Sequence, residues 1–351
     1  MPAPRRAAPP PGNQVTASLK PAQAVSTPAA QLIAADVGGT HVRVGLIREQ
    51  AGESDAIEVL AYRKYRCADY PSLSAILADF ACDHPPVAEC VIATAGVARD
   101  DGSVISINLP WPLSTHRIRD DLGFHAVHVV NDFEAVAHAA GHMDASRVLQ
   151  LTGPAQAAPG PVLIVGPGTG LGAAVWIPAG KHGIVLATEA GQAALAPTTE
   201  LEIAVLRHLL RERSHVSIEQ VLSGPGLLRL YHALCVLRGT TPVHATPDAI
   251  SAAACDGSDA LANETLELFC AFLGSAVGDM ALFYGIQGGI HLAGGILPRF
   301  GQFIRDSLFV ERFLNKGPMA EALQRIPVTL VEHGQLGVIG ATRWYRTHRG
   351  H

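Results

Sequence analysis

Apolar and polar positions along this chain repeat one arrangement. The run at 32–35 is apolar, Asp36-Val37-Gly38-Gly39-Thr40 interrupts it, and Val42, Val44 and Leu46 then resume with a period of two. About a hundred and thirty residues on, the β-branched run at 162–165 meets glycines at 166, 168, 170 and 172, with Thr169 among them, before a second apolar run. Two apolar runs joined by a few glycines predict a β-hairpin, so the chain holds two glycine–threonine hairpins. A third strand at 56–65 would complete a meander with the first. The stretch at 290–296 is again a strand that ends in glycines, Gly294-Gly295.

The segments between predict an α/β chain. Leu73, Ile76, Leu77 and Phe80 mark one face of a helix that begins at 70–73. Strands follow at 89–96 and 126–130. Between them lie a turn at 100–103, joining two short strands, and a loop at 107–112 in which prolines flank Trp111 and Asn108 stands nearby. Trp111 is expected in the core more than as a platform for a ligand, although loops often carry sites. A helix over 133–140 starts directly after Asn131-Asp132. Beyond the second hairpin, 186–192 is a small-residue bend with Glu189 at its centre, and Thr199-Glu200-Leu201-Glu202 caps a helix to 211. A glycine-bounded turn at 221–226 precedes a helix at 227–238. Helices then cover 247–254 and 260–284, with a late strand at 328–331 and a final helix at 334–345. The 260–284 helix is almost wholly apolar and is expected between layers. Residues 1–30, rich in Pro, Ala, Ser, Thr and Gln, are expected to form a disordered tail.

Glycines let the backbone approach a ligand closely or take φ > 0, and a row of N–H groups with one hydroxyl is an anion cradle. Two such turns suggest half-sites facing each other across a phosphate. Asp132 has two readings. It is a helix N-cap, or a carboxylate at the C-terminal edge of a parallel strand, where open α/β sheets bind ligands. Its position between the two hairpins favours the second. Phosphoryl transfer needs donors around the phosphates, a metal, a proton acceptor and exclusion of water. The glycine turns suit the first, Asp132 the proton acceptor, and Asp36 a Mg²⁺ ion held through water. The alternating glycines do not fit G-x-G-x-x-G and no G-x-x-x-x-G-K-[ST] occurs, so neither a Rossmann nor a P-loop site is predicted.

Composition narrows the classes. With 351 residues, 48% hydrophobic and 16% charged, the chain can bury a core spanning two domains. A formal charge of −5 without any Lys/Arg-rich run argues against a nucleic-acid partner. No uninterrupted apolar run reaches the ~18 residues of a membrane span. Six scattered cysteines without C-x-x-C predict free, buried thiols in a reducing cytoplasm.

Five motifs, in this order and spacing, resemble the bacterial ATP-dependent glucokinase family from about residue 31 to 347. They are Asp36-Val37-Gly38-Gly39-Thr40, Asn131-Asp132-Phe133, Gly166-Pro167-Gly168-Thr169-Gly170-Leu171-Gly172, Leu222-Ser223-Gly224-Pro225-Gly226-Leu227 and Ala293-Gly294-Gly295-Ile296. The resemblance implies a two-domain ribonuclease-H-like, actin-like ATPase fold with an interdomain cleft, and a homodimer. The small domain would take 31–142 with 333–351, the large one 143–332. ATP and Mg²⁺ would lie among Asp36, Gly38, Gly39, Thr40, Gly168, Thr169, Gly170, Gly294 and Gly295. Asn108, Asn131, Asp132, Glu189 and Glu219 would hold a hexose, with Asp132 as general base converting D-glucose to glucose 6-phosphate. The family's G-E-G-G-H bend is here Thr188-Glu189-Ala190-Gly191-Gln192, so Gln192 takes the sugar-contacting place of a His, and His41 stands where Asn is usual. A lost glycine at 190 would shift the bend if that position needed φ > 0. Two other readings attach to these departures: a sugar-binding regulatory paralogue with little turnover, or a kinase for mannose or an N-acetylated amino sugar.

Overall fold

The computed structural model describes residues 31–49, 57–105, 109–140, 148–180, 183–331 and 334–349, so the tail expected at 1–30 and the candidate Asn108 lie outside the described residues. Strands β1 (Gln31–Val37), β2 (His41–Glu49) and β3 (Ile57–Arg66) form an antiparallel meander in which Val37 faces Val42 and His41 faces Arg66. Helix α1 (Leu73–Ala81) follows, its N-terminus capped by the Ser72 hydroxyl. Then β4 (Glu89–Thr94) lies parallel to β1. A small ribbon of β5 (Val97–Ala98), β6 (Ser103–Ile105) and β7 (Leu113–Ser114) leads to α2 (Thr115–Leu122). Strand β8 (Ala126–Asn131) pairs parallel with β4, and α3 (Asp132–Ala139) starts at its end. The sheet order is β3-β2-β1-β4-β8.

The second sheet repeats this order and adds one strand. After β9 (Val148–Thr152), the strands β10 (Val162–Pro167), β11 (Leu171–Ile177) and β12 (Ile184–Thr188) make another antiparallel meander. Helices α4 (Glu200–Leu209), α5 (Gly224–Arg238), α6 (Pro247–Cys255) and α7 (Ala260–Phe283) intervene before β13 (Gly289–Leu292), which runs parallel to β10. Short helices α8 (Gly301–Asp306), α9 (Phe309–Leu314) and α10 (Ala320–Leu323) precede β14 (Val328–Val331), and α11 (Leu336–His348) ends the described chain. The order is β12-β11-β10-β13-β14-β9, with β9 antiparallel at the edge.

Neighbouring residues of a strand point to opposite faces, and the packing follows. Ile33, Ala35, Val42 and Val44 join Leu73, Ile76, Leu77 and Phe80 of α1 in one core, with Trp111 against it. Leu32, Ala34, Val91 and Ala93 meet Ala135 of α3 and Val338 and Ala341 of α11 on the other face. The opposite side of α3, at Val136, Ala137 and Ala140, packs on Ile164, Ala174 and Ala293 of the second sheet. One short helix is therefore wedged between both sheets. Gly340 of α11 permits this, because a Cβ there would overlap the Ala135 carbonyl. The largest core surrounds α7 in the second half. By length and composition α7 could cross a membrane, yet 78% of its most apolar window is buried inside the protein.

The structure corrects some element boundaries. α5 begins at Gly224 and not at 227, because the Ser223 hydroxyl caps it by accepting from Gly226 N–H and Pro225 fits the first turn. All six cysteines are free, but Cys82 and Cys255 are exposed where burial was expected.

Candidate active site

α3 positions the central carboxylate. The Asn131 side-chain oxygen accepts from Phe133 N–H (3.0 Å) and Glu134 N–H (3.1 Å), so Asn131 is the N-cap and Asp132 the first helical residue. The capping role considered for Asp132 thus belongs to its neighbour. Asp132 lines a cavity of about 390 Å³ and accepts from Phe133 N–H at 2.9 Å. Burial raises its carboxyl to about 6, helped by the charges of Asp36 and Glu189 and opposed by backbone hydrogen bonds.

Both glycine turns line the same cavity, as do Gly294, Gly295, Asn131, Glu189 and Glu219. The first turn is braced by Cys67, whose N–H donates to the Thr40 carbonyl (2.9 Å) and whose thiol donates to the Gly38 carbonyl (3.3 Å). The second is braced by the start of α5, where Gly224 N–H donates to the Gly168 carbonyl (2.8 Å). None of Gly166, Gly168, Gly170 and Gly172 has positive φ. A Cβ would overlap the Ala293 carbonyl at Gly166, the Glu219 carboxylate at Gly170 and the Phe133 ring at Gly172, whereas Gly168 faces open space. Three of these four glycines thus admit protein neighbours. Gly294 alone among the cavity glycines needs its left-handed φ of 110°.

The bend at 188–192 holds a second carboxylate pair. Glu189 precedes a single 3-10 turn, Ala190–Gln192. No described non-glycine residue has positive φ, so Ala190 sits without strain. Glu219 accepts from Leu171 N–H (2.9 Å) and from the Gln192 side-chain amide (3.2 Å), while His215 contacts the Gln192 carbonyl (3.1 Å). Gln192 is not among the cavity-lining residues. Its side chain holds Glu219, which does line the cavity.

Asp36 is also set back from the cavity surface. It is 5% exposed and ion-paired with Arg43 at 3.0 Å. Among the described residues no cluster of three or more His, Cys, Asp or Glu forms a metal cage. Asp36 is the carboxylate that would hold a Mg²⁺ ion at this end of the cleft, where the ion would neutralise phosphate charge.

The cavity also takes in Arg43, Lys64 and Arg299, which sequence reading did not single out as site residues, and His41. Burial, and then Lys64, Arg43, Arg66 and Arg299 in turn, keep the His41 imidazole below its usual range. For His41, Arg43 and Lys64 the signal lay in strand periodicity, with basic residues at 41 and 43 and at 64 and 66.

Two like-ordered sheets, a cleft between them lined by two glycine turns and a carboxylate at a helix start define a sugar kinase of the actin-like ATPase fold. The chain belongs to the glucokinase family, whose model matches residues 33–348, and it is an ATP-dependent hexose kinase. A glucokinase-like protein of Xylella fastidiosa is 59% identical over 313 residues, 89% of this chain and 94% of the relative. The glucokinase of Saccharophagus degradans is 37% identical over 315 residues, covering 89% and 97%. A crystal structure of glucokinase from an Antarctic psychrotroph superposes with a TM-score of 0.77 at 34% identity, covering 90% of this chain and 99% of that one.

Proposed function

We propose that the protein transfers the γ-phosphoryl group of ATP to the 6-hydroxyl of D-glucose, with Asp132 as general base, as a cytoplasmic homodimer. The observation that carries this reading is Asp132 itself, at the start of the helix between the sheets, sharing one cavity with both glycine turns, Glu189 and Glu219. With a carboxyl near 6, Asp132 is largely ionised at neutral pH and accepts the hydroxyl proton as the new O–P bond forms. Glu189 and Glu219 accept from other sugar hydroxyls, a mode that discriminates strongly against sugars lacking them. N–H groups of the turns donate to phosphate oxygens. Mg²⁺, bound with the nucleotide, would neutralise phosphate charge, with Asp36 as its water-mediated anchor.

One observation favours a second reading, a sugar-binding regulatory protein with little turnover: the Gln192 side-chain amide is engaged by Glu219. ADP release from Mg-ATP with a panel of hexoses tests both. Turnover with glucose supports the kinase reading, and turnover only with mannose or an N-acetylated amino sugar changes the acceptor. Calorimetric sugar binding without ADP release supports the regulatory one.

A further inference from the structure

We propose that Lys64 and Arg66 of β3, beside His41, form a side-chain arm of the phosphate site that grips the phosphate chain of the donor. This rests on the phosphoryl-transfer reading above. The β2–β3 register pairs His41 with Arg66 and Arg43 with Lys64, so all four side chains share one face of the first sheet. Val42 and Tyr65 point the other way, into the core under α1. His41, Arg43 and Lys64 line the cleft cavity together with Gly38, Gly39 and Thr40, and Arg299 lines it from the second half.

Charge compensation singles out two members of this group. Arg43 is paired with Asp36, and Arg299 with Asp248. Arg63, on the opposite face of the same strand, is matched by Asp79 (3.4 Å) and Asp83 (2.9 Å). Lys64 and Arg66 have no carboxylate within ion-pair distance among the described residues. Like charges directly opposite on paired strands are destabilising, and here Lys64 faces Arg43 across the strands with only one acidic partner, Asp36, between them. An oligophosphate relieves that repulsion, and the Gly38–Thr40 turn beside the block offers backbone donors to the same ligand. The shared chemistry is a phosphate chain, supplied by a nucleoside triphosphate or by inorganic tripolyphosphate.

Both side chains are exposed, so their variants keep the fold. The test compares wild type, Lys64→Arg, Lys64→Met and the double variant Lys64→Met with Arg66→Met. Calorimetry measures tripolyphosphate binding at low salt, and steady-state assays separate KM for Mg-ATP from KM for the sugar. The double variant is expected to weaken tripolyphosphate binding about ten-fold and raise KM for Mg-ATP by a similar factor. KM for the sugar should stay within about two-fold, and Lys64→Arg should remain near wild type. Weakened tripolyphosphate binding with unchanged KM for Mg-ATP assigns the arm to an inorganic chain and not to the nucleotide. Absence of tripolyphosphate binding in wild type, or equal binding and KM in the double variant, overturns the proposal. A wild type that phosphorylates no sugar refutes the kinase reading alone, and tripolyphosphate binding then decides this one.

Discussion

The two halves share a strand order, three antiparallel strands followed by two parallel ones, yet they surround their glycine turns differently. In the first half the turn is open. A Cβ at Gly38 would meet only the His41 carbonyl at 3.4 Å, an ordinary contact, and the sheet face beside it carries cations. In the second half the turn is wedged from three sides, by the β13 end, by Glu219 and by Phe133. One topology therefore supplies two walls with different work. The first brings positive charge and the ionisable Asp132, and the second brings a rigid frame with Glu189 and Glu219. The lesson is that repeated topology fixes where a site lies, while the decoration of each copy decides what it binds.

The sharpest test of this contrast is Asp132→Asn, expected to lower kcat about a thousand-fold with KM for the sugar changed only a few-fold. Wild-type kcat/KM for the sugar should fall as pH drops through about 6, where the base of the free enzyme becomes protonated. The stability sign is opposite. A carboxyl whose folded value is raised from 3.8 to about 6 loses stability as pH rises through that window. Asp132→Asn should thus be more stable than wild type at pH 7, by about 2 kcal/mol, a difference that fades below pH 4 in thermal melts. Next in size is Gly172→Val, which drives a side chain into Phe133 and should cost about 3 kcal/mol or more. Gly38→Ala in the open turn should leave Tm within about 2 °C. Equal losses at both positions would erase the distinction between the walls.

Smaller effects probe the frame. Glu219→Ala leaves Leu171 N–H without its acceptor and should cost about 1–3 kcal/mol in denaturant unfolding, with a raised KM for the sugar. The smallest change expected is from Ala190→Gly combined with Gln192→His, a gain of a few-fold in kcat/KM for glucose. No gain would mean that the altered bend is neutral.

How much was legible beforehand depended on range. The stripe Leu73, Ile76, Leu77 and Phe80 and the capping box of Thr199 and Glu202 were readable, since each is written within a few neighbouring residues. β9 was missed because a short edge strand declares itself only through its partner, β14. α8, α9 and α10 were missed for a similar reason, being six residues or fewer. Asn131 and Asp132 both suit an N-cap, and only where β8 stops settles which one serves.

The amino-acid sequence by itself determined the glycine turns, the strand–Asp–helix junction and the paired hairpins, because local periodicity and its interruption act along the chain. Tertiary structure alone decided that Gly172 makes room for Phe133, that Asp36 is tied to Arg43, that Gln192 serves Glu219, and that Lys64 and Arg66 stand opposite Arg43 and His41. Those outcomes depend on strand register and on the approach of distant segments. Burial and charge act through space between residues that the chain itself keeps apart.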